Sequence, residues 1–160
     1  MKLSKLLRAD RVILDMKAHE HWAAITELVD QLVVGGGLRP GQRKPILAAL
    51  KAREDLVSTG IGLGVAIPHT FSDEIDEVVA IFGHSKEGLD FEALDHLPVH
   101  FIILFIVPSK DYHLHLMTLA AIAKMFTNGD VRRQLATAVT SDDILAILAS
   151  RPSRVAQPGA

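Results

Sequence analysis

Cysteine is absent from the 160-residue chain. Its absence excludes disulfides, thiolate metal sites, iron–sulfur clusters and a cysteine nucleophile. Aromatic side chains are few, with one Trp, one Tyr and six scattered Phe, too sparse for a base-stacking platform. Neither sign of charge dominates. A formal net charge of −2 sets up no long-range field favouring nucleic acid or an anionic membrane, so neither is expected as a partner. Long hydrophobic runs are also missing. The strongest apolar stretch, residues 101–107, is bounded by His100 and Pro108 and is far too short to cross a bilayer. Residues 1–10 carry Lys2, Lys5 and Arg8 without an apolar run of signal length, which reads as a cytoplasmic chain with no membrane insertion.

What is present is an ordinary globular composition, 49% hydrophobic and 22% charged. The length suits one domain, and at this size folding buries roughly 70% of the unfolded surface. Residues 1–150 read as that domain. Residues 151–160, with Pro152, Ser153, Pro158 and Gly159, read as a flexible C-terminal tail. Histidine is unusually frequent, with eight in the chain, so chemistry is expected to run on imidazole.

Apolar spacing sets the order of elements. Val12, Ile13 and Leu14 form a first strand. Residues 20–34 place Ile25, Leu28, Val29 and Leu32 at helical spacing and stop at three glycines, Gly35 to Gly37. Residues 45–53 read as a second helix with Pro45 in its first turn. Residues 78–82 and 99–107 read as strands, the second covered on both faces. Ser109 is placed to cap a helix to about Phe126, with Asn128-Gly129 ending it. A short helix over 131–138 follows, and then a last one capped by Ser141. The sum is an α/β fold, a small mixed sheet sandwiched between helices. No helix separates the strands at 78–82 and 99–107, so it is not a regular βαβ repeat.

Two histidine clusters could carry chemistry. Gly60, Gly62 and Gly64 alternate with Ile61, Leu63 and Val65 before Ala66-Ile67-Pro68-His69. No helix follows these glycines and no Gly-Lys-Ser/Thr is present, so they do not make a nucleotide loop. They offer close backbone approach and exposed N–H groups. Pro68 stiffens the exit and presents His69 at a strand end, which suits a nucleophile or base and equally a plain loop. In His113-Leu114-His115, helical geometry points the rings about 200° apart, so they cannot share one metal. Leu114, Met117, Ala121, Ile122 and Met125 define the expected core stripe of that helix, with His115 near its edge. His115 there is either an anion contact near a helix N-terminus or a half-buried structural residue. His19, His21, His84, His96 and His100 are assigned to structure or solvent.

Arg53-Glu54 followed by Ser58-Thr59-Gly60-Ile61-Gly62-Leu63-Gly64-Val65-Ala66-Ile67-Pro68-His69 resembles the active-site signature of enzyme IIA proteins of the phosphoenolpyruvate-dependent phosphotransferase system, fructose/mannitol type, including their nitrogen-regulatory branch. The resemblance continues through Gly88-Leu89-Asp90-Phe91, Pro98-Val99-His100, the apolar strand to Pro108, and His115 with its spacing to Leu119 and Lys124. It covers about residues 3–150. One departure is Thr70, where the family usually has a tiny residue.

The resemblance implies the mixed-sheet fold and histidine phosphoryl transfer without cofactor or metal. His69 would accept a phosphoryl group from the phosphohistidine of an HPr-like phosphocarrier protein, with His115 and Arg53 stabilising it. An apolar collar, with Ile61, Leu63 and Phe71 as candidates, would exclude water and dock the carrier. The phosphate would pass to a IIB protein or be held as a signal to a regulated target protein. Ile122-Ala123-Lys124 and Arg132-Arg133-Gln134-Leu135 resemble the nitrogen-regulatory branch most. With the single-domain length and the missing IIB-type cysteine, they point to a free-standing regulator. The alternatives are a sugar-transport IIA component, a non-phosphorylated binding module of the same fold, and a metal-assisted hydrolase. Against the last stand the splayed His113 and His115 and the lack of an acidic partner beside His69.

Overall fold

The structure, a computed structural model, describes residues 6–150. The tail expected over 151–160 lies outside the described residues. The elements run β1 (Val12–Ile13), α1 (His21–Val34), α2 (Arg43–Leu56), β2 (Gly60–Gly62), β3 (Val65–Ala66), β4 (His69–Ser72), β5 (Val79–Leu89), β6 (Val99–Pro108), α3 (Tyr112–Phe126), α4 (Gly129–Thr137) and α5 (Ser141–Ser150). They form a six-stranded mixed sheet in the order β1-β5-β6-β3-β2, with β4 also pairing β6. The expected sheet between helical layers is the fold observed.

β6 is the central strand. It is apolar almost throughout and buried at nearly every position, as expected of a strand covered on both faces. β5 pairs it antiparallel, while β3 and β4 pair it parallel along its other side. Alternation along β6 divides the core. Ile102, Leu104 and Ile106 join the layer of α1 and α2 through Ile25, Leu28, Leu32, Ile46 and Leu50. Phe101, Ile103, Phe105 and Val107 join the layer of α3 to α5 through Leu119, Ile122, Phe126, Leu135 and Ile144.

Most element boundaries follow the sequence reading, but β5 runs on past the expected 78–82 to Leu89 and three capping details differ. Ser109 does not cap α3. It opens a 3-10 turn, Ser109–Asp111, ahead of the helix. Thr140, rather than Ser141, caps α5: its hydroxyl accepts from the Asp143 N–H, and the Asp143 carboxylate accepts from the Val139 and Thr140 amides. Asn128 does not merely end α3. Its side chain accepts from the Asp130 and Val131 amides and so starts α4.

The buried face of α3 matches the expected stripe at Ala121, Ile122 and Met125 and departs from it at Met117. His115, Leu119, Ile122 and Phe126 are buried, whereas Met117 is 54% exposed. The 4-3-4 spacing of these four residues is the true core face. At Met117 the reading by hydrophobicity failed because α3 also carries apolar residues, Tyr112, Leu116 and Met117, on its solvent side.

Candidate functional site

β3 and β4 are one strand broken at Ile67-Pro68. Val65 and Ala66 pair with Phe101 and Ile102, and after the break His69 pairs with Phe105 and Phe71 with Val107. Pro68 has no N–H to give the ladder, and its carbonyl accepts from the Phe105 amide. The break sets the resumed strand in register with the end of β6.

On the other side of β3, the chain leaving α2 closes the site. Gly60 pairs with Ala66, and the Ile67 amide donates to the Thr59 carbonyl. A side chain at Gly60 would meet the Cβ of Ala93 at 2.8 Å, so the close approach of the 90–98 loop requires glycine there. The tight turn from β2 to β3 needs Gly62 and Gly64 at φ 93° and 80°, with Leu63 between them at 59°. Glu54, buried at the end of α2, accepts from both the amide and the hydroxyl of Thr59. Arg53 is fixed beside it, its Nη1 donating to the Val57 carbonyl at 2.8 Å.

The His69 ring is half-buried. Its Nδ1 lies 2.8 Å from the Ile67 carbonyl. A carbonyl only accepts, so Nδ1 carries the proton and Nε2 keeps its lone pair. Burial holds the His69 pKa below its ordinary value. The bond to Ile67 opposes that shift, and the nearby Arg53 guanidinium adds to it. The result is a neutral, desolvated imidazole with a free nucleophilic nitrogen and a cation within electrostatic reach.

His69 and Phe71 share the face of the sheet covered by α3. Phe71 meets His69 edge-on at 6.4 Å and Tyr112 at 4.7 Å. This aromatic contact ties β4 to the first turn of α3, on which His115 sits. His115 is buried, and its Nε2 is 3.9 Å from Oδ2 of Asp111. Burial lowers its pKa, while Asp111 acts in the opposite direction. Among the described residues no hydrogen bond joins His115 to His69. Arg53 lies at the end of α2, close enough to act electrostatically on His69, and His115 belongs to the first turn of α3, one turn after Tyr112, which contacts Phe71.

The expected collar is partly redrawn. Phe71 is at the site. Leu63 lies at the β2–β3 turn, where its amide donates to Asp95. Val65 precedes His69 by four residues of strand, about 13 Å, so Leu63 is too far along to cover the ring. Sequence reading missed Val57, Tyr112 and Asp111. Val57 and Tyr112 are exposed by 57% and 45%. Their apolar exposure becomes a signal only once the fold places them around His69. Thr70, the departure from the usual pattern, pairs with Ile106 and is buried on the opposite face, away from the His69 ring.

The family model for the phosphoenolpyruvate-dependent sugar phosphotransferase system, EIIA 2, matches residues 5–151. The chain belongs to this EIIA family. A fructose-specific EIIABC component of Bacillus subtilis is 32% identical over 92% of the chain, which spans only 23% of that relative's length. A nitrogen regulatory protein of Bradyrhizobium diazoefficiens is 26% identical over 98% of this chain and 100% of its own. The crystal structure of nitrogen regulatory protein IIA-Ntr from Neisseria meningitidis superposes with a TM-score of 0.83 at 29% identity, covering 91% of this chain and 98% of that one. A phosphoryl-carrier role fits EIIA membership. Among the described residues no helix of this EIIA chain is long and apolar enough to cross a membrane.

Proposed function

We propose that this EIIA protein is a cytoplasmic phosphoryl carrier. His69 takes a phosphoryl group from the phosphohistidine of an HPr-like carrier and passes it to a IIB protein or holds it as a regulatory signal. The observation that carries the reading is the bond from His69 Nδ1 to the Ile67 carbonyl, which leaves Nε2 as a free nucleophile inside the family's motif.

In the transfer, the P–N bond to the carrier's imidazole breaks as a new one forms to His69 Nε2. The electron pair of the broken bond returns to the carrier ring. Nδ1–H of His69 stays on Ile67, which supports the positive charge that grows on the accepting ring. Such transfers ask the protein mainly for alignment and charge stabilisation. Arg53 offers a guanidinium fork to the phosphoryl oxygens. His115, buried in the first turn of α3, supplies an imidazole N–H on the other side.

The regulatory emphasis rests on likeness over the full length of the Bradyrhizobium nitrogen regulatory protein and on the Neisseria superposition. Higher identity to the fructose-specific relative, whose name joins A, B and C parts, favours a second reading as a transport component that donates to a IIB partner. Incubation with a phosphorylated HPr-like carrier tests the carrier role. The wild type should gain one acid-labile, alkali-stable phosphate, and His69→Ala should gain none. Acid-stable label, or label on His69→Ala, would overturn it. Pull-downs with phosphorylated and unmodified protein then separate the readings. A partner outside the phosphotransfer chain that prefers one form supports regulation, and rapid turnover through a sugar-specific IIB alone supports transport.

A further inference from the structure

A second cavity, of about 450 Å³, opens on the α3–α5 face at the far end of β6 from His69. Its walls are His84 and Lys86 of β5, His100 and Phe101 of β6, and Gly129, Arg132, Arg133 and Ala136 of α4. Phe101 precedes Phe105, the partner of His69, by four residues of strand, so the two sites stand about 13 Å apart.

Among the described residues no carboxylate lines this cavity, although five side chains that are cationic or can become so do. Their existing contacts orient them without neutralising the group. Arg132 donates to the Phe126 carbonyl at 2.7 Å, and His100 Nδ1 is held by the Ser85 carbonyl at 2.9 Å. Among the described residues only Arg133 of the five has an ion-pair carboxylate, Asp130. His84, 5% exposed, stacks on Phe101 at 5.1 Å with the rings 11° from parallel, giving the cavity a flat, rigid floor. The crowding of positive charge is felt within it. Burial first, and then His100 and Lys86, hold the His84 pKa below its ordinary value, with a hydrogen bond to the Leu14 backbone and then Asp15 opposing from the β1 side.

We propose that this cavity is a binding site for a small organic phosphate, separate from the phosphorylated histidine. Its volume falls in the range of small-molecule pockets. A concave, low-dielectric site lined by one sign of charge concentrates the opposite sign. Arginine forks with lysine match phosphate oxygens, and the aromatic floor offers a surface to the organic part. The Arg132-Arg133 run has no part in the chemistry at His69, and this ligand gives it one. A metabolite held here contacts both β6 and α4, so it can report cellular phosphate status to an EIIA protein without itself entering the transfer.

The test is titration of the full chain at low salt with inorganic phosphate, pyrophosphate, a hexose monophosphate, a nucleoside monophosphate and the free hexose. Binding is followed by calorimetry and by the histidine ring resonances. At least one organic phosphate should saturate with a Kd of about 1 mM or tighter. It should shift His84 and His100 but not His69, weaken with added salt, and bind unchanged to His69→Ala. Lys86→Glu and Arg133→Gln, both at exposed positions, should each weaken it at least about tenfold while the fold is retained by circular dichroism. Failure of every phosphate to saturate, equal binding of the free hexose, shifts centred on His69, or full affinity in both variants would overturn the site. Because phosphorylation of His69 is measured separately, none of these failures touches the carrier role.

Discussion

The carboxylate of Glu54 accepts from both the amide and the hydroxyl of Thr59, fastening the end of α2 to the residue that leads into β2. Glu54 is buried, and it holds the turn from which its neighbour Arg53 reaches towards His69. The sequence shows an acidic residue beside an arginine. The structure shows that Glu54 anchors the turn, while Arg53 lies within electrostatic reach of His69.

Removing that anchor leaves the Thr59 amide buried without its acceptor. Glu54→Ala is expected to lower stability by about 1.5–3 kcal/mol, the range for a lost hydrogen bond to a charged group. Urea denaturation measures it. Glu54→Gln, which keeps one acceptor oxygen, should recover part of the loss. A change in Glu54→Ala within about 0.5 kcal/mol would mean that the turn is held by its backbone alone.

Arg53 and His115 are expected to act on the phosphoryl group without carrying it. His115→Ala and Arg53→Ala should each slow transfer on the order of 10²–10³-fold, as for loss of one preorganised electrostatic contact. The label should remain on His69 in both. Arg53→Lys should recover only part of the rate, since a point charge replaces a fork. Quenched-flow transfer from the phosphorylated carrier gives the rates, and peptide mapping gives the position. Label on His115 would reverse the roles.

The lowered pKa of His69 fixes the sign of a pH effect on transfer. Only the neutral ring has a lone pair on Nε2, and burial keeps the ring neutral to lower pH than an ordinary histidine. The acid limb of the acceptance rate, measured with the carrier's own titration divided out, should therefore lie below the ordinary value of about 6.5. Arg53→Gln removes one cause of the lowering and should move that limb upward. A limb above 6.5 would contradict the buried, neutral ring.

Stability should show the same sign. His69, His84 and His115 are all lowered, chiefly by burial. Above about pH 6.5 both folded and unfolded forms are neutral at these positions, so the folded state loses nothing there. As pH falls from 6.5 through the lowered folded-state values, the unfolded chain binds protons first and stability declines. Urea midpoints across this window should fall with pH. The slope should be shallower in His84→Gln. A flat profile would show that these rings are as solvated folded as unfolded.

The legible parts of this protein were those in which one residue type has one use. A run such as Ile102 to Val107 can only be a covered strand, and three successive glycines end a helix. Pro68 before His69 announced a stiff presentation, and the broken strand delivers it. Residues with two uses were misread. Met117 is apolar and reads as part of the core stripe, yet it faces solvent, and the core face of α3 includes a histidine. Ser109 and Ser141 are good caps by type, but a 3-10 turn and the Thr140–Asp143 pair take those roles. Leu63 stands within the motif in sequence but at the far end of the hairpin in space. Spacing along a chain does not reveal which side of a turn a residue falls on.

The exposed apolar residues just after α2 and at the start of α3 lead to the last prediction. Val57, Tyr112, Leu116 and Met117 are exposed by 57%, 45%, 39% and 54%. Val57 adjoins Arg53, and Tyr112 reaches His69 through Phe71. Leu116 follows Tyr112 by one helical turn, so it continues the same surface. A carrier that docks here would bury this surface and exclude water from the reacting phosphorus. The phosphoryl group adds up to two negative charges at its centre, so the same surface discriminates phosphorylated from unmodified protein for any partner that needs it apolar. Leu116→Glu and Tyr112→Ser should each reduce the second-order rate of transfer from the carrier. Loss of a central contact worth about 2 kcal/mol gives about thirtyfold. The first-order hydrolysis of phosphorylated His69, measured without the carrier, should stay at the wild-type rate, because neither residue touches the phosphoryl group. A variant that changes hydrolysis and transfer together would place these residues in the phosphoryl environment. A variant that changes neither would put the carrier on another face.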